Sequence, residues 1–132
     1  MQYQSSLKRE QLIELAIERY FGNVDQKNID GVLECFHDNA MLTVQTAFAT
    51  HDGKDNIRRM FTDFIAANKT IIHRDFTCTV DEKNGRITAN FTAELVDHEG
   101  NTTLLNNTNF WRIRGDKFQE VYVYMSGENP LI

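Results

Sequence analysis

A change in hydrophobic period halfway along the chain is the feature that most restricts its possible folds. Up to about residue 65, apolar side chains recur every three or four positions, as they do in amphipathic helices. Beyond residue 70, apolar and polar side chains alternate, as they do in half-buried strands, and turn residues separate the alternating segments. A run of helices followed by a run of strands joined by tight turns predicts an α+β fold.

Three helices are predicted before residue 70. The first extends from about Ser6 to Lys27, the second is short and begins at Asn28, and the third follows Asp52-Gly53. A short strand, Met41 to Thr46, is predicted between the second and third helices. The apolar stripes of the three helices consist of Leu12, Ile13, Ala16, Ile17, Tyr20, Phe21 and Val24; of Ile29, Val32, Leu33 and Phe36; and of Ile57, Met60, Phe61, Phe64 and Ile65.

Four longer strands are predicted in the second half, over residues 71–80, 87–95, 103–114 and 118–125. Asn84-Gly85 is a strong hairpin turn pair, and Gly115-Asp116 marks another turn. Long antiparallel strands twist and curl, so a sheet of this kind with the three helices packed on its concave side forms a half-open cone. The interior of such a cone is a natural pocket for a small molecule.

The composition limits the classes of partner. The 132 residues, with a mass of 15.3 kDa, are enough for one domain, predicted to span residues 1–132. The net charge of −5 gives no general reason to bind nucleic acid or an anionic membrane. No apolar run approaches the ~20 residues of a membrane span, and the first residues contain no apolar leader segment. These features predict a cytoplasmic protein.

The sequence predicts neither a metal site nor a bound cofactor. Cys35 and Cys78 each lie in an apolar stretch and form no CxxC motif, which predicts two buried free thiols. The remaining candidate ligands are too scattered for a metal site, and no glycine-rich nucleotide motif is present. His37, His51 and His98 are predicted to lie in loops or at helix ends.

Three segments carry a resemblance to a known family: ERYFGNVDQKNIDGVLECFHDNAML near the start, HDGKDNIRRMF in the middle and NFWRIRGDKFQEVYVYM near the end. With them, the chain resembles the SnoaL-like branch of the nuclear transport factor 2 superfamily, which also contains the ketosteroid isomerases. The resemblance implies the cystatin-like α+β cone, chemistry without a cofactor and a homodimer formed through the sheet. One fold hosts many activities, so it does not by itself identify the reaction.

Comparison with the ketosteroid isomerases argues against their reaction. Those enzymes use a tyrosine and a protonated aspartic acid as an oxyanion hole, and an aspartate as the base. By resemblance the tyrosine corresponds to Tyr20, the oxyanion acid to Asn109 and the base to Val44. The supporting tyrosines correspond to Phe36 and Phe61, which have no hydroxyl. Because valine cannot take up a proton, classical ketosteroid isomerase activity is not expected.

The resemblance to dehydratases of the same superfamily implies a different catalytic trio, Tyr20, Asp25 and His73. A histidine can remove a proton next to a carbonyl if an aspartate fixes its tautomer. A tyrosine hydroxyl can stabilise the resulting enolate oxygen or protonate a leaving hydroxide. The three residues are therefore the candidate catalytic residues.

Regular geometry sets two conditions on this trio. Residues five apart on an α-helix point about 140° apart, so Tyr20 and Asp25 share a face only if the helix end is distorted. Strict alternation also places His73 on the opposite face of its strand from Phe76 and Cys78, unless a bulge shifts the register.

Two asparagines are the most unusual feature of the predicted strands. Asn107 and Asn109 have the same strand parity as the apolar Trp111, so they must be hydrogen-bonded or face a wet cavity. The candidate ligand-binding residues, from this pattern and from the resemblance, are Asn107, Asn109, Trp111, Val44, Phe61, Val121 and Met125. The resemblance implies that Tyr122 and Tyr124, on the other face of the last strand, form the homodimer interface.

Three functions remain open from the sequence. The leading hypothesis is a cofactor-independent dehydratase or isomerase that acts by proton transfer on a small, largely apolar or polycyclic carbonyl compound. The second is a non-catalytic binder, which the valine at position 44 favours. The third is a protein-interaction homodimer, similar to the transport factors themselves.

Overall fold

The computed structural model describes residues 3–132, so the first two residues of the predicted domain and of its N-terminal segment lie outside the described residues. The first helix, α1, consists of an α-helical turn Arg9–Ile13, a π-helix Glu14–Phe21 and a final α-helical turn Gly22–Asp25. Helix α2 is Ile29–Leu33, and helix α3 is Lys54–Ala67. The three predicted helices are present, although α1 begins later than Ser6.

A six-stranded sheet follows and partly interleaves with these helices. Its strands are β1 Phe36–Val44, β2 Ala49–Asp52, β3 Asn68–Asp81, β4 Arg86–Asp97, β5 Thr102–Arg114 and β6 Lys117–Tyr124. The order in the sheet is β2-β1-β6-β5-β4-β3, so the sheet is open, with β2 and β3 at its edges. The curved, unclosed sheet with helices in the N-terminal half confirms the predicted α+β cone.

The arrangement corrects the sequence prediction in two places. The sheet is not wholly antiparallel, because β1 and β6 run parallel, with Leu42 opposite Val121. Strand β2 was not predicted; it returns along β1 after a short 3₁₀ turn, Gln45–Ala47, and pairs His51 with Leu42. Phe36, assigned to the second helix from its spacing, is the first residue of β1 instead.

The hydrophobic core lies between the helices and the concave face of the sheet. Over residues 87–95 of β4 and 105–113 of β5 every second residue is buried, so the predicted alternation is present in both strands. The rings of Phe36, Phe61, Trp111 and Phe118 surround Tyr20 at centroid distances of 5.3–6.2 Å. Helix α1 is thereby fixed against the middle of the sheet, which sets the position of its last turn.

Both cysteines are free thiols. Cys35 is completely buried, but Cys78 is only partly buried, since β3 is an edge strand and its inward side chains are covered on one side only. Between residues 3 and 132, no helix combines the length and the apolar character needed to cross a membrane.

Candidate functional site

A narrow cavity with an open mouth lies between α1, α3 and the concave face of strands β3 to β6. Most of its wall is apolar. The polar side chains on the wall are Tyr20, His73, Asn107 and Asn109. An apolar cavity with a few convergent polar groups is the usual form of a small-molecule site.

The shortest hydrogen bond at the cavity joins the side chains of Asp25 and His73. Asp25 Oδ1 lies 2.6 Å from His73 Nδ1, and Asp25 Oδ2 accepts a hydrogen bond of 2.8 Å from the main-chain N–H of His73. One carboxylate thus holds both the ring and the backbone of the same residue. Because the last turn of α1 carries Asp25, this contact also joins that helix to the edge strand β3.

Aromatic rings hold the imidazole of His73 in place. Phe21 stacks on it with ring centroids 4.3 Å apart and planes inclined by 24°. Phe91 lies at 5.6 Å from the same ring. The His73 side chain is only 8% exposed, and that of Asp25 is 25% exposed. The pair therefore lies at the edge of an apolar environment, where hydrogen bonds and charges are less screened than in water.

A β-bulge explains how His73 faces the cavity. The pairing of β3 with β4 shifts register between Arg74 and Thr77, and Asp75 has a φ of 60°. His73 before the bulge and Phe76 after it, which strict alternation would put on opposite faces, both lie against the interior. The extra residue in the strand removes the conflict that the sequence presented.

Helix α1 positions Tyr20 through an unusual helical segment. The adjacent pairs Leu15–Ala16 and Tyr20–Phe21 are buried, and they are five residues apart, which is the hydrogen-bond step of a π-helix. Burial raises the pKa of the Tyr20 hydroxyl well above its usual range. Tyr20 therefore stays protonated and is a hydrogen-bond donor at the cavity wall.

Tyr20 and Asp25 contribute to the site in different ways. Tyr20 lines the cavity, whereas Asp25 is not among the lining residues and reaches the site through His73. His73 Nδ1 contacts Asp25, so Nε2 is the nitrogen left to meet a bound molecule. The structure thus brings Tyr20 and His73 to one cavity with Asp25 behind the imidazole.

The predicted ligand-binding residues divide into two groups. Phe61, Met125, Asn107 and Asn109 line the cavity together with Tyr20 and His73. Val44, Trp111 and Val121 are not among the lining residues and lie deeper in the core, each at most 1% exposed. These three pack against neighbouring core side chains and support the residues that line the cavity.

A C-terminal segment that the sequence reasoning missed closes one side of the cavity. Pro130 and Leu131 line it, and no periodicity at the end of the chain would have indicated this. His51 Nε2 lies 3.0 Å from the Leu131 carbonyl oxygen, and His51 Nδ1 lies 3.3 Å from Arg59 Nη2. His51 is therefore not the loop residue that was expected, because it is buried in β2 and anchors this segment.

The asparagines on β5 differ in their hydrogen bonds. Asn107 Oδ1 accepts a long hydrogen bond of 3.4 Å from the main-chain N–H of Ser126. Asn109 Oδ1 and Trp111 Nε1 are enclosed polar atoms that have no hydrogen-bond partner among residues 3–132. Across the same part of the chain, histidine, cysteine and acidic side chains form no group of three suited to a metal ion.

Residues 17–121 match the family model of the SnoaL-like domain. The fold is similar to that of a candidate polyketide cyclase from Xanthomonas campestris pv. campestris, at 17% identity over 88% of this chain and 90% of that chain, with a TM-score of 0.78. It is similar to SalBIII, an epoxide hydrolase/cyclase-like enzyme in pyran ring formation in salinomycin, at 16% identity over 90% and 93%, with a TM-score of 0.80.

A third similar structure is AusH from Aspergillus nidulans, at 11% identity over 92% of this chain and 88% of that chain, with a TM-score of 0.79. No curated protein matches the sequence significantly. At these identities the solved structures share the fold, whereas the family model matches the sequence itself over well over half of its length. The chain belongs to the SnoaL-like domain family.

Proposed function

We propose that this protein is a cofactor-independent enzyme that transfers a proton on a small, largely apolar, carbonyl-bearing molecule, with isomerisation or dehydration as the outcome. One observation carries the proposal. An imidazole held by a carboxylate, with Asp25 Oδ1 at 2.6 Å from His73 Nδ1, lines an apolar cavity. A positioned histidine of this kind is the commonest general base in enzymes.

The contacts of His73 define its role. A carboxylate accepts hydrogen bonds, so the proton of the neutral ring resides on Nδ1 and the lone pair on Nε2. Nε2 takes the proton from the carbon next to the carbonyl of the bound molecule, and Asp25 stabilises the imidazolium that forms. Asp25 acts through His73, so it is a positioning residue.

Tyr20 supplies the second catalytic group. When the proton leaves the carbon, negative charge moves to the carbonyl oxygen, and a neutral hydroxyl in an apolar wall stabilises that charge. The raised pKa of Tyr20 favours this donor role over a role as a base. In an isomerisation, the His73 imidazolium returns the proton to a different carbon. In a dehydration, the proton accompanies the departing hydroxyl group, and water is released.

The solved structures of similar fold are consistent with this chemistry but far too divergent in sequence to identify it. SalBIII is named as an epoxide hydrolase/cyclase-like enzyme. Ring closure by acid and base groups in an apolar cavity needs the same kinds of side chain. We therefore include cyclisation among the reactions that the site could support.

Hydrogen exchange at carbon tests the proposal without knowledge of the natural substrate. We expect the protein to accelerate exchange of the α-protons of 2-tetralone, an apolar bicyclic ketone, in deuterated water, as followed by proton NMR. His73→Gln should lower the protein-dependent rate by about 10²-fold or more, the usual contribution of a general base. Tyr20→Phe should also lower it, because it removes the donor and keeps the ring.

The control is His98→Gln, which changes an exposed histidine whose Nε2 lies 2.8 Å from the Ala66 carbonyl oxygen, outside the cavity wall. It should leave the exchange rate unchanged. For Asp25→Ala, nitrogen NMR of the His73 ring should show the loss of the Nδ1–H tautomer together with the loss of exchange. If His73→Gln and Tyr20→Phe both left the rate unchanged, the mechanism would be wrong.

A non-catalytic binder is the second candidate. The valine at position 44, where the resemblance puts a base, favours it, and so does the apolar wall of the cavity. This alternative predicts affinity for apolar ketones with no exchange above the buffer rate. The protein-interaction alternative has less support, because the polar side chains of Tyr20, His73 and Asn109 line the cavity and such an interface does not need them there.

A further inference from the structure

Asn109 is unusual because its side chain buries a polar atom that forms no hydrogen bond with residues 3–132. It lies on β5, lines the cavity and is 3% exposed. Its Oδ1 is enclosed and has no hydrogen-bond partner within residues 3–132. An enclosed acceptor without a donor destabilises the fold, so such atoms are rare in native proteins.

The surroundings show that the fold does not supply the missing donor. Asn107, two residues earlier on the same face, has its Oδ1 paired with the Ser126 N–H. Trp111, two residues later, has an N–H that is itself enclosed and without a partner. The two atoms, Asn109 Oδ1 and Trp111 Nε1, do not bond to each other, since each is without a hydrogen-bond partner among residues 3–132.

We infer that Asn109 is a specificity-determining residue, and that its Oδ1 accepts a hydrogen bond from a hydroxyl group of the bound molecule. The ligand class is then an apolar molecule that carries an alcohol, phenol or enol hydroxyl. The inference rests on the proposed function only in that it takes the same cavity as the ligand site. In this inference Asn109 accepts a hydrogen bond from the ligand. In the ketosteroid isomerases, the acid at the corresponding position donates one.

The chemistry of the acceptor selects the ligand. A ketone or ether oxygen facing Oδ1 would bring two acceptors together, and an apolar carbon would leave Oδ1 unpaired. A site built to hydrogen-bond a hydroxyl discriminates strongly against analogues that lack it, because the buried group of the protein is then left without a partner.

Binding of three matched bicyclic probes to the full chain tests the inference. The probes are 2-naphthol, 2-methoxynaphthalene and naphthalene, with affinities measured by NMR titration. We expect 2-naphthol to bind about tenfold or more tightly than either of the others. Asn109→Leu, which has a similar shape, should remove this preference and keep the affinity for naphthalene.

The control is Asn106→Leu, which changes an exposed asparagine of β5 outside the cavity wall and should keep the preference for 2-naphthol. A second measurement does not need a ligand. Asn109→Leu should leave the urea midpoint of the free protein unchanged or raise it, because it removes an unpaired polar group. Asn107→Leu should lower the midpoint, because it breaks the bond to Ser126. These two results separate loss of recognition from loss of folding.

The outcomes distinguish this inference from the proposed function. Equal affinity for 2-naphthol and naphthalene would overturn the inference and indicate that a water molecule satisfies Asn109, while the cavity would remain a ligand site. A preference for 2-methoxynaphthalene would overturn it too. A clear preference for 2-naphthol without exchange of tetralone α-protons would support the inference and contradict the proton-transfer chemistry. Failure of all three probes to bind would overturn the inference.

Discussion

Burial makes Cys35 an unreactive thiol. The pKa of this thiol is raised to about 11, chiefly by burial, and its Sγ lies 3.6 Å from the Gly31 carbonyl oxygen. The thiolate is the reactive form, and on the order of one molecule in a thousand carries it at pH 8. Burial also raises the pKa of the Cys78 thiol, but Cys78 is only partly buried, so we expect iodoacetamide to modify Cys35 at least about ten times more slowly than Cys78 in the native protein. Peptide mass spectrometry over time measures both rates.

The same shift predicts how stability depends on alkaline pH. The unfolded chain loses this proton near pH 9 and the folded chain near pH 11, so the free energy of unfolding should fall as the pH rises through that interval.

Urea provides the control for the cysteine modification by iodoacetamide, because both cysteines should react at similar rates once the chain is unfolded. Equal rates in the native protein would contradict the burial of Cys35.

Individual site residues differed in how well the sequence could predict them. The inward orientation of Asn107 and Asn109 follows from alternation alone, and the structure agrees. The face of His73 could not be decided, because it depends on a bulge at Asp75, whose φ of 60° has no sequence signature as strong as a glycine. Leu131 could not be found, since its contribution to the cavity depends on long-range contacts with His51.

Among the elements, α1 shows where periodicity fails. The stripe drawn with an α-helical period includes Ile13 and Ile17, which are only partly buried, and omits Leu15, which is 2% exposed. The π-helix Glu14–Phe21 widens the turn and changes which side chains face the sheet. Strand β2 was missed for a different reason: four residues are too few for an alternating pattern to be recognised.

The turns of the sheet provide a matched pair of glycines. Gly85 and Gly115 have nearly equal φ values of 64° and 63°. A Cβ at Gly85 would lie 2.5 Å from Ser5 Cβ and 2.9 Å from the Ile113 carbonyl oxygen, whereas a Cβ at Gly115 would have no atom within 4 Å. Gly115→Ala should therefore lower the free energy of unfolding by about 1–2 kcal/mol, from the backbone conformation alone.

Gly85→Ala combines that backbone strain with a steric clash, so we expect it to lower the free energy of unfolding by about 3 kcal/mol or more. Urea unfolding followed by circular dichroism measures both variants. The difference between them isolates the contact of the β3–β4 turn with Ser5 and Ile113. Equal losses would mean that this close approach is absent in solution.

At the scale of the whole molecule, the sheet has two different faces. Its concave face carries the core and the cavity, and the opposite face leaves aromatic side chains in solvent. Phe110 and Tyr124 are 42% and 43% exposed, and their rings meet edge to face at 5.7 Å. The guanidinium of Arg112 lies 5.7 Å from the ring centre of Tyr122 beside them. Exposed clusters of this composition are typical of protein interfaces.

We expect this outer face to join two copies of the chain. Light scattering coupled to size-exclusion chromatography should then give twice the chain mass of 15.3 kDa. Phe110→Glu should shift the protein to the monomer, because it would bury a charge at the centre of the interface. The control is Ile132→Glu: Ile132 is 73% exposed and its carbonyl oxygen contacts Arg59 of α3, on the side of the sheet opposite this cluster, so the dimer should persist. A monomeric native protein at every concentration tested would contradict the expectation, and the aromatic cluster would then need another partner.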